Sequence, residues 1–142
     1  MLDASRHAPG VAHEDKMKLV AAFLMMALTT APIAVLAHGE RPQPAHGGDV
    51  QDAQGLWVEL VVKGSDVTVY VISEDHKPVL AQQISGTATV LIDGKSYKVE
   101  LSPGGANSVQ GKLPVAATGK LIATVVLKVG GKPASARFMG AA

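Results

Sequence analysis

"TATVLIDGKSYKVEL", residues 87–101, is two alternating runs joined by Asp93-Gly94. Ala88, Val90 and Ile92 share one face of the first run. Tyr97, Val99 and Leu101 continue that face in the second, while Ser96, Lys98 and Glu100 point to water. Period-two alternation in β-branched and aromatic residues marks half-buried strands. Asp-Gly accepts the positive φ angles of a type I′ turn, so the stretch is a β-hairpin.

The same pattern extends both ways. In "LWVELVVK" (56–63), Leu56, Val58, Leu60 and Val62 lie on one face, with Trp57, Glu59 and Lys63 on the other. In "VTVYVIS" (67–73), Val67, Val69 and Val71 point inward, and Gly64-Ser65-Asp66 turns between the two runs. "EDHKP" (74–78) is a turn, and "VLAQQI" (79–84) has the character of a short edge strand. "SPGGANS" (102–108) is a loop, and "VQGKLPV" (109–115) is a strand limited by Gly111 and Pro114. "KLIATVVLKV" (120–129) is the longest strand; it is followed by Gly130-Gly131 and by "ASARF" (134–138), with Ala136 and Phe138 inward. No helical window follows residue 37. About eight short strands with turns at regular spacing predict an all-β fold: an antiparallel β-sandwich of immunoglobulin-like type, with a small barrel as the alternative. Trp57 faces outward by the alternation, either as an exposed binding aromatic or, the preferred reading, packed on the second face.

The chain has 142 residues, enough for one domain, a formal net charge of +1 and no cysteine. No long run of Lys or Arg is present, which argues against nucleic acid as a partner, because such proteins carry a clustered basic face. Without cysteine there is no disulfide framework, thiolate zinc site or cysteine nucleophile. The compartment is read from residues 17–37, "MKLVAAFLMMALTTAPIAVLA". Lys16 and Lys18 form a basic n-region, Leu19 to Leu28 an apolar h-region, and Val35-Leu36-Ala37 a small-residue cleavage site. This is the layout of a signal peptide helix. The h-region is about half of the ~20 apolar residues of a membrane span, so no stable span is expected after cleavage. The expectation is export to the periplasm of a Gram-negative cell. Residues 1–16 are polar and unlike an n-region, which suggests a gene-model extension or polar leader. Residues 38–55, rich in His, Pro and Gly, are expected to be a flexible lead-in to a domain spanning 56–142.

Catalysis finds little support. There is no G-x-S-x-G elbow, H-E-x-x-H motif or Gly-rich phosphate loop, and the protein is read as not an enzyme. Metal binding is the stronger candidate. After residue 37 the histidines are His38, His46 and His76; Asp49 follows His46, and Glu74 and Asp75 precede His76. Imidazole suits Cu(II), Zn(II) and Ni(II), and carboxylates can complete a shell. Cleavage after Ala37 would give His38 a free α-amine beside its imidazole, a good Cu(II) chelate. Met139 could add a thioether for Cu(I). Each histidine also has a plainer reading: His38 and His46 as solvated residues near a terminus, His76 as a turn residue.

"AHGGDV", "GLWVELVV", "VTVYVISEDHKPV", "SGTATVLIDGK", "LSPGGANSVQGKL" and "KPASARF" together resemble small exported bacterial β-domains. Some of these stand alone. Others form the N-terminal His-Gly-Gly module of periplasmic adaptor proteins of heavy-metal efflux pumps. The resemblance covers about residues 45–138. It implies a periplasmic sandwich associated with metal resistance, with His46, Gly47, Gly48 and Glu59 matching the first motif. Asp75 and Pro78 match the turn before the edge strand, and Gly104, Gly105 and Asn107 the loop after the central hairpin. His76 departs from the pattern, standing where a Gly-like turn residue is expected. The chain also lacks the further hairpin and barrel modules of a full adaptor. Two functions follow as expectations. One is a heavy-metal accessory protein that binds copper or another divalent cation weakly and exchangeably, with His46 central and His38 and His76 as co-ligands. The other is a metal-free interaction module that docks to an efflux adaptor or to another copy of itself, through edge strand 79–84 or Trp57.

Overall fold

The computed structural model describes residues 39–141. Residues 1–16, residues 17–37 expected to be a signal peptide, and His38 lie outside the described residues. The elements are β1 (Asp49–Ala53), β2 (Leu56–Lys63), β3 (Asp66–Ile72), a 3₁₀ turn (Ala81–Gln83), β4 (Ile84–Ile92), β5 (Lys95–Pro103), β6 (Ser108–Lys112), β7 (Lys120–Val129) and β8 (Lys132–Ala141). Every neighbouring pair is antiparallel, in the order β1-β2-β3-β6-β5-β4-β7-β8. β8 comes back beside β1, so one eight-stranded sheet nearly closes on itself. Across that closure the Ser135 amide donates to the Gln54 side-chain oxygen at 2.6 Å. The expected all-β, antiparallel class is present. Its arrangement is barrel-like, with one curled sheet around one core in place of two packed sheets.

The tight turns follow local chemistry. Asp93 and Gly94 both have positive φ, +48° and +80°, as a type I′ hairpin requires. Ala88, Val90, Ile92, Val99 and Leu101 are buried, as the alternation predicts, and Tyr97 packs partly buried against them. β7 occupies residues 120–129 as expected, with Leu121, Ala123, Val125 and Leu127 buried.

Three stretches differ from the expectations. Residues 49–53, placed in the flexible lead-in, form β1 and join β2 through Gln54-Gly55, both at positive φ. Residues 79–84 are not an edge strand. Ala81–Gln83 make a 3₁₀ turn, and buried Ala81 and Ile84 stand three residues apart, the spacing that puts side chains on one side of such a turn. The Ala81 amide donates to the Ala106 carbonyl at 2.9 Å, so this segment is fastened to the 104–107 loop. Finally, Glu59 lies on the outer face of β2 but is fully buried; Trp57, on the same face and 7% exposed, is packed as the preferred reading has it.

Candidate metal-ligand site at His46

The site begins with Glu59, a carboxylate in mid-strand. Its register partners are Val50 on β1 and Tyr70 on β3, so the three share the outer face of the sheet. Residues 45–48 fold back over that face and hand their donors to the carboxylate. One oxygen, Oε1, accepts from the backbone amides of His46 (2.8 Å) and Gly48 (3.1 Å). The other, Oε2, accepts from the Ala45 amide (3.2 Å) and lies 2.9 Å from His46 Nδ1. A buried charge is tolerable only with this degree of pairing.

Both glycines of the motif are required by the backbone path. Gly47 has φ +77°, in the left-handed region that disfavours side chains. At Gly48 an added Cβ would stand 2.2 Å from the Leu60 carbonyl oxygen and 2.8 Å from Val61. That close approach is what lets the 48 amide reach Glu59.

The His46 ring is sandwiched by constraint. Its face stacks on Tyr70 with centroids 3.6 Å apart and planes within 2°. Its Nδ1 edge is tied to Glu59, yet the side chain stays 41% exposed. Nε2 has no hydrogen-bond partner among the described residues. Burial alone would raise the Glu59 pKa. The His46 side chain, the His46 and Gly48 amides and the charge of a protonated His46 outweigh it, and the carboxyl sits below its ordinary value. Glu59 is therefore an ionised acceptor at neutral pH.

His46, Gly47, Gly48 and Glu59, the residues that carry the first motif of the resemblance, thus meet in one place. The described candidates His76, Asp49 and Met139 do not join them in a metal cluster. Among the described residues no group of three or more His, Cys, Asp or Glu side chains could hold a metal ion. His76 is exposed in the turn after β3, at φ +59°, with its amide donating to the Ser73 carbonyl at 2.9 Å. The Asp49 carboxylate accepts from the Gln51 side chain at 2.9 Å. Met139, 72% exposed on β8, continues an outward apolar row with Ile122 and Leu91, its partners across β7 and β4. That row lines a shallow groove of about 600 Å³ rimmed by Asp93 and Lys120.

The role of Tyr70 as the platform under His46 was not legible in the sequence. Glu59 was indicated by the resemblance alone, because alternation gives it the face of a solvated residue. Comparison with models of known families, with curated proteins and with solved structures found no match.

Proposed function

We propose that the protein is an exported accessory of heavy-metal handling that binds Cu(II), or another divalent transition metal, weakly and exchangeably at His46. One observation carries this reading: the His46 ring is held by a buried carboxylate on one nitrogen and, among the described residues, left open on the other. Ligating histidines generally donate their second ring N–H to a carboxylate or carbonyl, which orients the ring and raises its basicity. A solvated surface histidine has neither the partner nor the stacking. The periplasmic location rests on the signal-peptide layout of residues 17–37, and the association with efflux on the His-Gly-Gly resemblance. His38 and His76 remain proposed co-ligands, His38 through its α-amine if cleavage follows Ala37.

Calorimetry tests the proposal. Copper, zinc or nickel should bind with Kd at or below about 10 μM, the strength of roughly −7 kcal/mol that an exchangeable site needs. His46→Ala should weaken that binding at least tenfold. No binding, or binding indifferent to His46→Ala, ends the proposal.

A second reading, a metal-free docking module for an efflux adaptor, is favoured by the outward row Leu91, Ile122 and Met139. With Ala81–Gln83 in a 3₁₀ turn and no edge strand at 79–84, this row is the better docking surface. Retention on an immobilised efflux adaptor with chelator present, lost in Met139→Lys, would support it. Equal retention of the variant would count against it.

A further inference from the structure

We propose that Glu59 is a positioning residue for His46: it fixes the hydrogen on Nδ1, makes Nε2 the ligand atom, and suits the site to metal that arrives already carrying other ligands. The proposal rests on the metal-binding reading above and deepens it by naming the ligand atom and the class of cargo.

The tautomer follows from counting donors. A carboxylate can only accept hydrogen bonds, and three of the four groups around Glu59 are backbone amides that can only donate. The fourth, His46 Nδ1 at 2.9 Å, must therefore carry its hydrogen. A neutral imidazole has one such hydrogen, so the lone pair is on Nε2. Turning the ring over would break the Nδ1 contact and put a C–H against a buried charge. The flat stack on Tyr70 confines the ring to one plane.

The cargo follows from what is left to bind with. Both Glu59 oxygens are fully engaged and the side chain is buried, so the carboxylate cannot itself ligate. No cluster of three ligating side chains exists among the described residues. The described residues offer a single well-aimed nitrogen here. One imidazole by itself adds little to a fully hydrated ion, which needs a co-ligand such as His38 to be held at the strength proposed above. It adds much more to a chelated metal with one exchangeable position, because the carrier supplies the rest of the shell. The substrate class is therefore a chelated Cu(II), or a similar divalent metal, with one open site.

Two measurements test this. The first is the ¹⁵N chemical shifts of the His46 ring in the metal-free protein at alkaline pH, where an imidazole carries a single hydrogen. They should show a protonated Nδ1 and an unprotonated Nε2. In Glu59→Gln, whose amide can donate to Nδ1, the pattern should reverse. An unprotonated Nδ1 in the wild type overturns the positioning role, whether or not His46 binds metal and whether or not the variant folds. The second uses Cu(II)–iminodiacetate as probe, followed by paramagnetic broadening of the Tyr70 ring in a His76→Ala background. Broadening should saturate with the probe and weaken at least tenfold in Glu59→Gln. Free Cu(II) held at His46 tenfold more tightly than the chelate overturns the cargo class. The predicted tautomer with no broadening by either form of copper overturns the metal-binding reading itself.

Discussion

At the scale of the residue, the structure turns on Glu59. Alternation along "LWVELVVK" puts it on the face opposite Leu60, and that is where it lies. What alternation cannot tell is whether another segment covers that face. Here residues 45–48 do, so a residue of solvated type is fully buried. The pH dependence follows. The folded Glu59 pKa lies below its ordinary value of 4.5, so the folded protein holds fewer protons here than the unfolded chain. Its stabilising contribution is complete above that value and is lost as pH falls through the lower folded pKa. Urea unfolding at pH 6 and pH 3 should show the wild type losing more stability on acidification than Glu59→Gln. Equal losses would contradict the ionised, paired state. Gly48 is the second sensitive residue. A Cβ there meets backbone, which cannot swing aside as a side chain can. Gly48→Ala should destabilise by about 2 kcal/mol or more and free the His46 ring, checked by denaturation and by loss of the His46–Tyr70 ring contact in NMR.

At the scale of the element, turns were the legible part. Gly64-Ser65, Asp93-Gly94 and Gly130-Gly131 each join adjacent antiparallel strands, because positive φ is a local demand written in local residues. β1 was not legible. Its sequence, "DVQDA", has only Val50 and Ala53 as apolar members, and it is a strand because β2 pairs with it. Residues 79–84 misled in the opposite direction, since a short apolar run fits a strand or a turn equally well until the neighbours are known. The turn at His76 makes a clean test. A left-handed non-glycine residue costs on the order of 1 kcal/mol, which glycine avoids. His76→Gly should leave stability unchanged or raise it by up to about 1 kcal/mol in thermal unfolding. A marked loss would show that the His76 side chain contributes more than its exposed place in the turn suggests.

At the scale of the whole molecule, class was legible and closure was not. The seam between β1 and β8, and the placing of β6 between β3 and β5, join residues far apart in the chain. No local pattern encodes such pairings, so a sandwich and a barrel have the same signature in the strands themselves. In this nearly closed arrangement β1, β2 and β3 form one continuous outer face on which Val50, Glu59 and Tyr70 stand in register. The lead-in docks on that face, and the sheet, not the loop, fixes where His46 points. Electron paramagnetic resonance of the protein loaded with one equivalent of Cu(II) tests this most directly. Nitrogen coupling from an imidazole should appear, persist in His76→Ala and disappear in His46→Ala. A spectrum that His46→Ala leaves unchanged would contradict the proposal that His46 is a metal ligand.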